Sequence, residues 1–434
     1  MPSIDRLDIT RFISPARLSQ LREVATLSME LGFPAYLVGG FVRDALLKKP
    51  ISDFDIVIEG DATRLGRTLV KRFGGRVTVH APFKTATWFL LDSPDDFIDL
   101  ISARLEVYAH PAALPTVRMG TLDDDLHRRD FTINAMAVAL DGAGVGELID
   151  PLGGCEDLQS GLLRILHPNS FIDDPTRLFR LIRYTVRYGF KVESETEAHI
   201  TSALNYVDKL SPERLRHELD LILEEEDPVL ILEKLWAHGI IQQVKPALPS
   251  DAATRSRLQE TRSCFVMPPL PVRTEIQQIR NRRWTVWLLG LSHKEIRALA
   301  KRLHFTADLL KQCLAASSLF RSMDSFSGVC PSVCVAWLDK FPAESVLVVS
   351  IGASRGDVQS MLQMYLSKWR TLKPHTTGET LMMRGIPFGS RIGAMLWRLR
   401  AAWLDGEVTS AEEERKLLDK LFQENWKDVG GKKL

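Results

Sequence analysis

Strand patterning confined to the first third of the chain, with helical patterning alone after it, predicts an α+β protein. The expected layout is an α/β head at residues 1–142, a helical neck at 143–225, and an all-helical body and tail at 226–434. Three observations carry this. Short apolar runs of strand length cluster before residue 142. From about residue 155 they give way to long amphipathic patterns. The chain has 434 residues, 45% of them hydrophobic, enough for two to four domains' cores.

Residues 15–31 place apolar side chains at helical spacing and stop at Gly32. Tyr36-Leu37-Val38 then reads as a strand delivering the chain into Gly39-Gly40, and Phe41 to Lys48 returns to helical spacing. Asp53 to Ile58 reads as a strand, and Ala62 to Phe73 as an amphipathic helix stopped by Gly74-Gly75. Arg76 to Val79, Ala86 to Leu91 and Phe97 to Ile101 are the remaining strands. Arg104 to Asp125, with Pro111, Pro115 and Gly120, reads as a connecting loop. Beyond it the clearest helices are Asp174 to Tyr188, Ser194 to Asn205 and Glu213 to Glu225. Breaks are expected at Pro246 to Asp251 and at Met267 to Pro271.

Composition narrows the class only a little. With 56 basic and 55 acidic residues the net charge is +1, so any contact with nucleic acid must come from local distribution. Five scattered cysteines do not form a disulfide framework and read as buried structural thiols. No histidine cluster marks a zinc site. The first residues lack a signal-peptide core, and no run of about 18 apolar residues predicts a membrane span. A cytoplasmic enzyme with no membrane partner is expected; the oligomeric state is not legible.

Asp53 and Asp55 are the chemically informative pair. Two residues apart on a strand, they point to one face and repel unless a cation lies between them. Mg²⁺ suits such a site, because it takes one or two carboxylates plus phosphate oxygens. Asp99, on another apolar strand, supplies a third carboxylate if the two strands are neighbours. A bare D-x-D also arises as a loop entering a strand. It likewise matches the nucleophile motif of haloacid-dehalogenase-type phosphatases, but there the apolar strand precedes the first Asp, and here it follows. The Gly39-Gly40 turn allows close approach of a phosphate, yet it is neither G-x-G-x-x-G nor a P-loop.

Leu37-Val38-Gly39-Gly40-Phe41-Val42-Arg43-Asp44 followed by Asp53-Phe54-Asp55 resembles the signature of polymerase-β-type nucleotidyltransferases. Arg128-Arg129-Asp130-Phe131-Thr132-Ile133-Asn134-Ala135-Met136 resembles the second motif of class II tRNA nucleotidyltransferases (CCA-adding enzymes) and bacterial poly(A) polymerases. Asp150-Pro151-Leu152-Gly153-Gly154 through Leu163-Arg164 looks like their hinge motif, Asp173-Asp174-Pro175-Thr176-Arg177 like their base-reading motif, and Glu213 to Leu219 like their fifth, structural motif. Gly389 to Gly393 is similar to a segment of their helical tail.

The resemblance implies a polymerase-β-like head and template-independent addition of CCA, or part of it, to tRNA from CTP and ATP. Asp53 and Asp55 would hold Mg²⁺, with Asp99 beside them. Gly39, Gly40 and Arg43 would contact the triphosphate. Arg128, Arg129, Asp130 and Asn134 would clasp triphosphate and ribose. Asp174 and Arg177, supported by Asp173, would read the incoming base; the family usually has Glu at the position of Asp173. The 104–125 segment would be a mobile loop that helps switch between CTP and ATP. Poly(A) polymerase is the alternative within the family, and a non-catalytic RNA-binding protein on a decayed head the alternative outside it.

Arg177, Arg180, Arg183 and Arg187 share a helix face with no acid among them, which suits the phosphates of a nucleotide or RNA end. Arg280, Arg282, Arg283 and Trp284, then Lys368-Trp369-Arg370, and Lys427, Lys432 and Lys433 are further candidates for RNA contact, each also readable as ordinary surface.

Overall fold

The computed structural model describes residues 6–51, 54–80, 83–91, 96–140, 146–264, 273–323, 328–353 and 356–423. They form two compact units, residues 1–245 and 246–434.

The first unit starts with α1 (Pro15–Glu30), β1 (Ala35–Val38), α2 (Gly40–Leu46), β2 (Asp55–Ile58) and α3 (Ala62–Phe73). Strands β3 (Arg76–His80), β4 (Thr85–Phe89) and β5 (Phe97–Ser102) follow. Then come β6 (Arg104–Val107), β7 (Thr116–Met119), α4 (Leu122–His127), β8 (Ala137–Ala139) and β9 (Leu148–Ile149). Seven strands make one mixed sheet in the order β3-β4-β5-β2-β1-β8-β9. Only β2 and β5 pair in parallel within it, which sets Asp55 opposite Asp99. The apolar faces of β1, β2 and β8 meet α4 in a core of Val38, Val57, Ala103, Leu122, Leu126 and Ala137. On α3 the buried Gly66 lets the helix lie close to the sheet, since a Cβ there would sit 3.0 Å from Val77.

Segment 104–125 is not the loop expected. β6 and β7 form an antiparallel hairpin from Arg104↔Met119 to Val107↔Thr116. Thr121 then opens α4 with a capping box to Asp124. The prolines hid this, because Pro111 and Pro115 lie in the hairpin's connection and not in its strands.

The stretch 143–225, expected from sequence as a helical neck, holds α5 (Gly154–Ser160), β10 (Leu162–Leu163), α6 (Ser170–Asp173), α7 (Thr176–Tyr188), β11 (Lys191–Val192), α8 (Ser194–Ala198), α9 (Ile200–Ala203) and α10 (Pro212–Glu224). It is not wholly helical, because β10 and β11 pair in parallel, a ladder too short to leave a periodic signal. The helix expected over 194–205 breaks into α8, α9 and a 3₁₀ turn at Leu204–Lys209. Leu178, Phe179, Leu181 and Ile182 bury the apolar side of α7. α7 packs on α10 and on α11 (Pro228–Ala237), so the first unit continues to Lys245.

Among the described residues the second unit is all helix: α12 (Ala252–Cys264), α13 (Arg273–Trp287), α14 (His293–Arg302), α15 (Ala307–Arg321), α16 (Pro331–Leu338), α17 (Ala343–Gly352), α18 (Gly356–Ser367), α19 (Gly378–Met383), α20 (Ser390–Leu404) and α21 (Ala411–Gln423). The basic-aromatic cluster at 280–284 is not an RNA-facing surface as a set. Arg283 and Trp284 are buried, Trp284 stacks on Trp287 at 5.2 Å, and Arg282 pairs with Glu344. Helical periodicity places Arg283 and Trp284 on the core side, which a linear reading of basic residues cannot see. Lys368 and Arg370 are exposed, whereas Lys427, Lys432 and Lys433 and the break at 267–271 lie outside the described residues. Of the cysteines, Cys313 and Cys334 are buried and Cys155 is half-buried, but Cys330, expected buried, is exposed. No described helix is long and apolar enough to cross a membrane.

Candidate active site

A cavity of about 710 Å³ opens within the first unit. Of the residues singled out from sequence, Gly39, Gly40, Arg43, Asp55, Arg128, Arg129, Asp130, Asn134, Asp174, Arg177, Arg180, Arg183 and Arg187 line it. Asp99 and Asp173 stand beside it. Asp99 is the register partner of Asp55 and accepts a bond from Thr87 Oγ1 at 2.6 Å. Asp173 lines an adjoining recess of about 350 Å³ with His127, His167 and Arg177. Asp53 lies outside the described residues.

The glycine turn explains itself locally. Gly39 has φ +63° and ψ −121°, a conformation costly for any residue with a Cβ. A Cβ there would also lie 2.5 Å from Arg129 Nη1. The missing side chain is thus the space in which the Arg129 guanidinium lies. Gly39→Ala is expected to cost about 1–3 kcal/mol from backbone strain alone, seen as an earlier midpoint in urea unfolding.

Two carboxylates hold the arginines in place. Asp125, fully buried on α4, accepts Arg128 Nη2 at 2.6 Å and Arg129 Nη2 at 2.8 Å. Burial pushes its carboxyl upward, but the charges of Arg129 and Arg128 outweigh this and hold it below the usual range. Glu106 on β6 accepts from Arg104 at 2.8 Å, from Arg128 at 3.2 Å and from the Tyr108 hydroxyl at 2.9 Å. Neither acid stood out in the sequence. The D-D-D run at 123–125 looked like linker, and only the α4 capping box turns its third member inward.

A second network joins head to neck. Asp130 accepts from the Phe131 amide at 2.9 Å, Asn134 Nδ2 at 2.9 Å and Arg180 Nε at 2.7 Å. Asn134 in turn accepts from Arg43 Nη1 at 2.7 Å. Burial raises the Asp130 carboxyl, yet the Arg180 charge and the Asn134 bond hold it well below the usual carboxylate range. Arg43 is clamped by Asp44 and lies over the rings of Tyr184 and Tyr188, 5.5 and 4.8 Å from their centroids.

Asp174 and Arg177 face the cavity from the start of α7. Asp174 Oδ1 accepts from the Thr176 amide, the Thr176 hydroxyl and Arg214 Nη2, leaving Oδ2 outside these bonds. Arg177 donates to Ser170 Oγ at 2.6 Å and to the Arg128 carbonyl at 2.7 Å. The arginine face of α7 does meet acids, supplied by other elements: Arg180 pairs with Asp130, Arg183 with Glu218 and Glu225, and Arg187 with Glu225. Sequence spacing shows which residues share a helix face, not what folds against it.

Nine arginines line the cavity against seven carboxylates, so the excess charge suits a polyanion. Among the described residues no group of three or more His, Cys, Asp or Glu could hold a metal ion. The described donors are the registered Asp55 and Asp99, hard oxygen ligands of the kind a divalent cation takes together with phosphate oxygens. The chemistry of that donor set fits Mg²⁺.

The poly A polymerase head domain model matches residues 35–164, and that of a "probable RNA and SrmB-binding site of polymerase A" matches residues 189–251. The A-adding tRNA nucleotidyltransferase of Halalkalibacterium halodurans is 36% identical over 376 residues, which are 85% of this chain and 84% of that protein. The chain belongs to the tRNA nucleotidyltransferase family. These nucleotidyltransferases include the A-adding enzyme of Geobacter sulfurreducens, 33% identical over 95% of this chain. The chain spans about half of that protein, 48% of its length. The Thermotoga maritima CCA-adding enzyme complexed with tRNA_CCA superposes with a TM-score of 0.76 at 27% identity, covering 95% of this chain and 97% of the other. The family membership accounts for the order of the five motifs along the first unit.

Proposed function

We propose that this tRNA nucleotidyltransferase adds the terminal AMP to the 3′ end of a CC-ended tRNA from ATP. The observation carrying this is one arginine-rich cavity that has Asp55 in register with Asp99 on one wall and the Asp174–Arg177 pair on another. The A-adding relatives favour the terminal step.

The RNA 3′ oxygen bonds to the α-phosphorus of the incoming nucleotide, the α–β phosphoanhydride P–O bond breaks, and pyrophosphate leaves with those electrons. Asp53 and Asp55 would hold Mg²⁺, with Asp99 beside them. When bound, the metal makes the attacking hydroxyl more acidic and offsets charge on the leaving group. Arg128 and Arg129, fixed by Asp125, meet the triphosphate with little reorganisation. Asn134, oriented by Asp130 and Arg43, presents its amide to the ribose. Asp174 accepts from the exocyclic amine of adenine or cytosine while Arg177 donates to the adjacent ring acceptor. Guanine and uracil reverse that pattern and leave buried charges unpaired.

Addition of the whole CCA is the second reading, favoured by the likeness to the Thermotoga enzyme and by a base edge common to cytosine and adenine. Transcripts ending at the discriminator base, at C and at CC, each with ATP, CTP or both, separate the readings on a sequencing gel. Extension of only the CC-ended RNA, by one AMP, is the expected result. Completion from all three starts gives full CCA addition, and long adenylate ladders give poly(A) synthesis. No incorporation on any of them overturns the proposal.

A further inference from the structure

The far end of the cavity, along α7 from the Asp174–Arg177 pair, holds two charged groups that the chemistry above does not use. Arg183 and Glu218 each have side chains only 6% exposed, and both line the cavity. Arg183 Nη1 and Glu218 Oε2 stand 3.8 Å apart, too far for a hydrogen bond. Arg183 Nε and Glu218 Oε2 have no hydrogen-bond partner; the nearest carboxylate to that Nε is Glu225, at 3.6 Å. Glu225 itself lies nearer Arg187, at 3.2 Å. Burial pushes the Glu218 carboxyl above its ordinary value, as expected where no close donor satisfies it. Leaving a buried donor and acceptor both unmade is costly, and native structures tolerate it mainly where a ligand completes the bonds.

The arrangement repeats that of Asp174 and Arg177: one acceptor carboxylate and one donor guanidinium, facing the same cavity. Arg183 follows Arg177 by six residues, about 9 Å along a helix at 1.5 Å per residue. The reaction needs two nucleotides in this cavity, the incoming one and the last one of the RNA, and one such pair serves only one of them.

We propose that Arg183 and Glu218 form a second base-reading pair, which recognises the terminal base of the acceptor RNA through an exocyclic amine beside a ring acceptor, as in cytosine or adenine. The Glu218 carboxylate accepts from the amine and Arg183 Nε–H donates to the ring nitrogen. Single-stranded RNA ends are read on this Watson–Crick edge by protein groups elsewhere. The inference rests on the nucleotidyltransferase reading above and adds to it a selection on the acceptor's end.

The test uses the full chain, ATP, and otherwise identical tRNA transcripts ending in CC, CA, CU, CG, or C followed by pyrimidin-2-one ribonucleoside, which lacks the 4-amino group. The wild-type kcat/KM for RNA is expected to be higher for a cytosine or adenine end, by about tenfold or more, than for guanine, uracil and pyrimidin-2-one ends. The cytosine and adenine arms tell which of the two the pair takes. In Glu218→Gln the amide can also donate, so the cytosine-to-uracil ratio should fall towards one whatever the absolute rate. Arg183→Lys, which keeps the charge and loses Nε–H, should lower the same ratio. Equal use of cytosine and pyrimidin-2-one ends by the wild-type chain overturns the inference, and that arm needs no variant to fold. An unchanged ratio in a folded Glu218→Gln overturns it as well. Incorporation without terminal-base preference sinks this inference alone, whereas absence of incorporation on every end sinks the reading beneath it.

Discussion

Asp55→Asn is expected to lower nucleotide incorporation by about 10³-fold or more, roughly 4 kcal/mol of transition-state stabilisation, without loss of the fold. Asp55 lies on β2 directly opposite Asp99 on parallel β5, with apolar neighbours such as Ile56 and Leu100 completing the sheet beneath. The amide is nearly isosteric with the carboxylate, so the melting temperature of the metal-free chain should change little. Mg²⁺ together with ATP should raise the melting temperature of the wild-type chain, since a ligand bound only to the folded state stabilises it. In Asp55→Asn most of that rise should vanish. Activity within about tenfold of wild type would show that the assigned metal role is wrong.

Asp130→Ala is expected to destabilise the chain by about 3 kcal/mol, measured by denaturant unfolding. Three donors converge on this carboxylate, from the Phe131 amide, Asn134 and Arg180, and all three lose their acceptor together. Breaking a buried pair by removing one partner costs about 3–5 kcal/mol. The lower end applies because the Arg180 side chain keeps 31% of its exposure and water recovers part of the loss. The pH dependence has a definite sign. The folded-state pKa of Asp130 lies below its unfolded value, so the unfolded chain binds the extra proton. The stabilisation is complete above pH about 4 and is lost as pH falls towards the folded-state value. The difference in stability between wild type and Asp130→Asn should therefore shrink on acidification below pH 4 or so. A constant difference would assign the effect to packing instead of charge.

Much of the site is readable in the sequence. The D-x-D spacing, the Gly39-Gly40 turn, the Arg-Arg-Asp run and the arginines of α7 are local patterns, and each follows from backbone periodicity or from the chemistry of adjacent residues. Ten of these residues then line one cavity. The parallel pairing of β2 with β5, which brings Asp99 to Asp55, was only conditional in the sequence, because 44 positions separate the two and nothing local sets their register. Asp125 and Glu106, which hold the arginines, were missed for the same reason: one looked like linker, and the other sat in a stretch whose prolines obscured a hairpin.

Periodicity and motif order were enough to specify the elements, the family likeness and the reacting groups, since those depend on neighbours a few residues apart. Long-range packing alone settled which acids answer the arginines of α7, which basic residues of the second unit turn inward, and that Arg183 and Glu218 meet without a hydrogen bond. A side chain's partner across the fold depends on how distant segments dock, and the energy of that docking comes from apolar surfaces that carry no label for the charged groups they bring together.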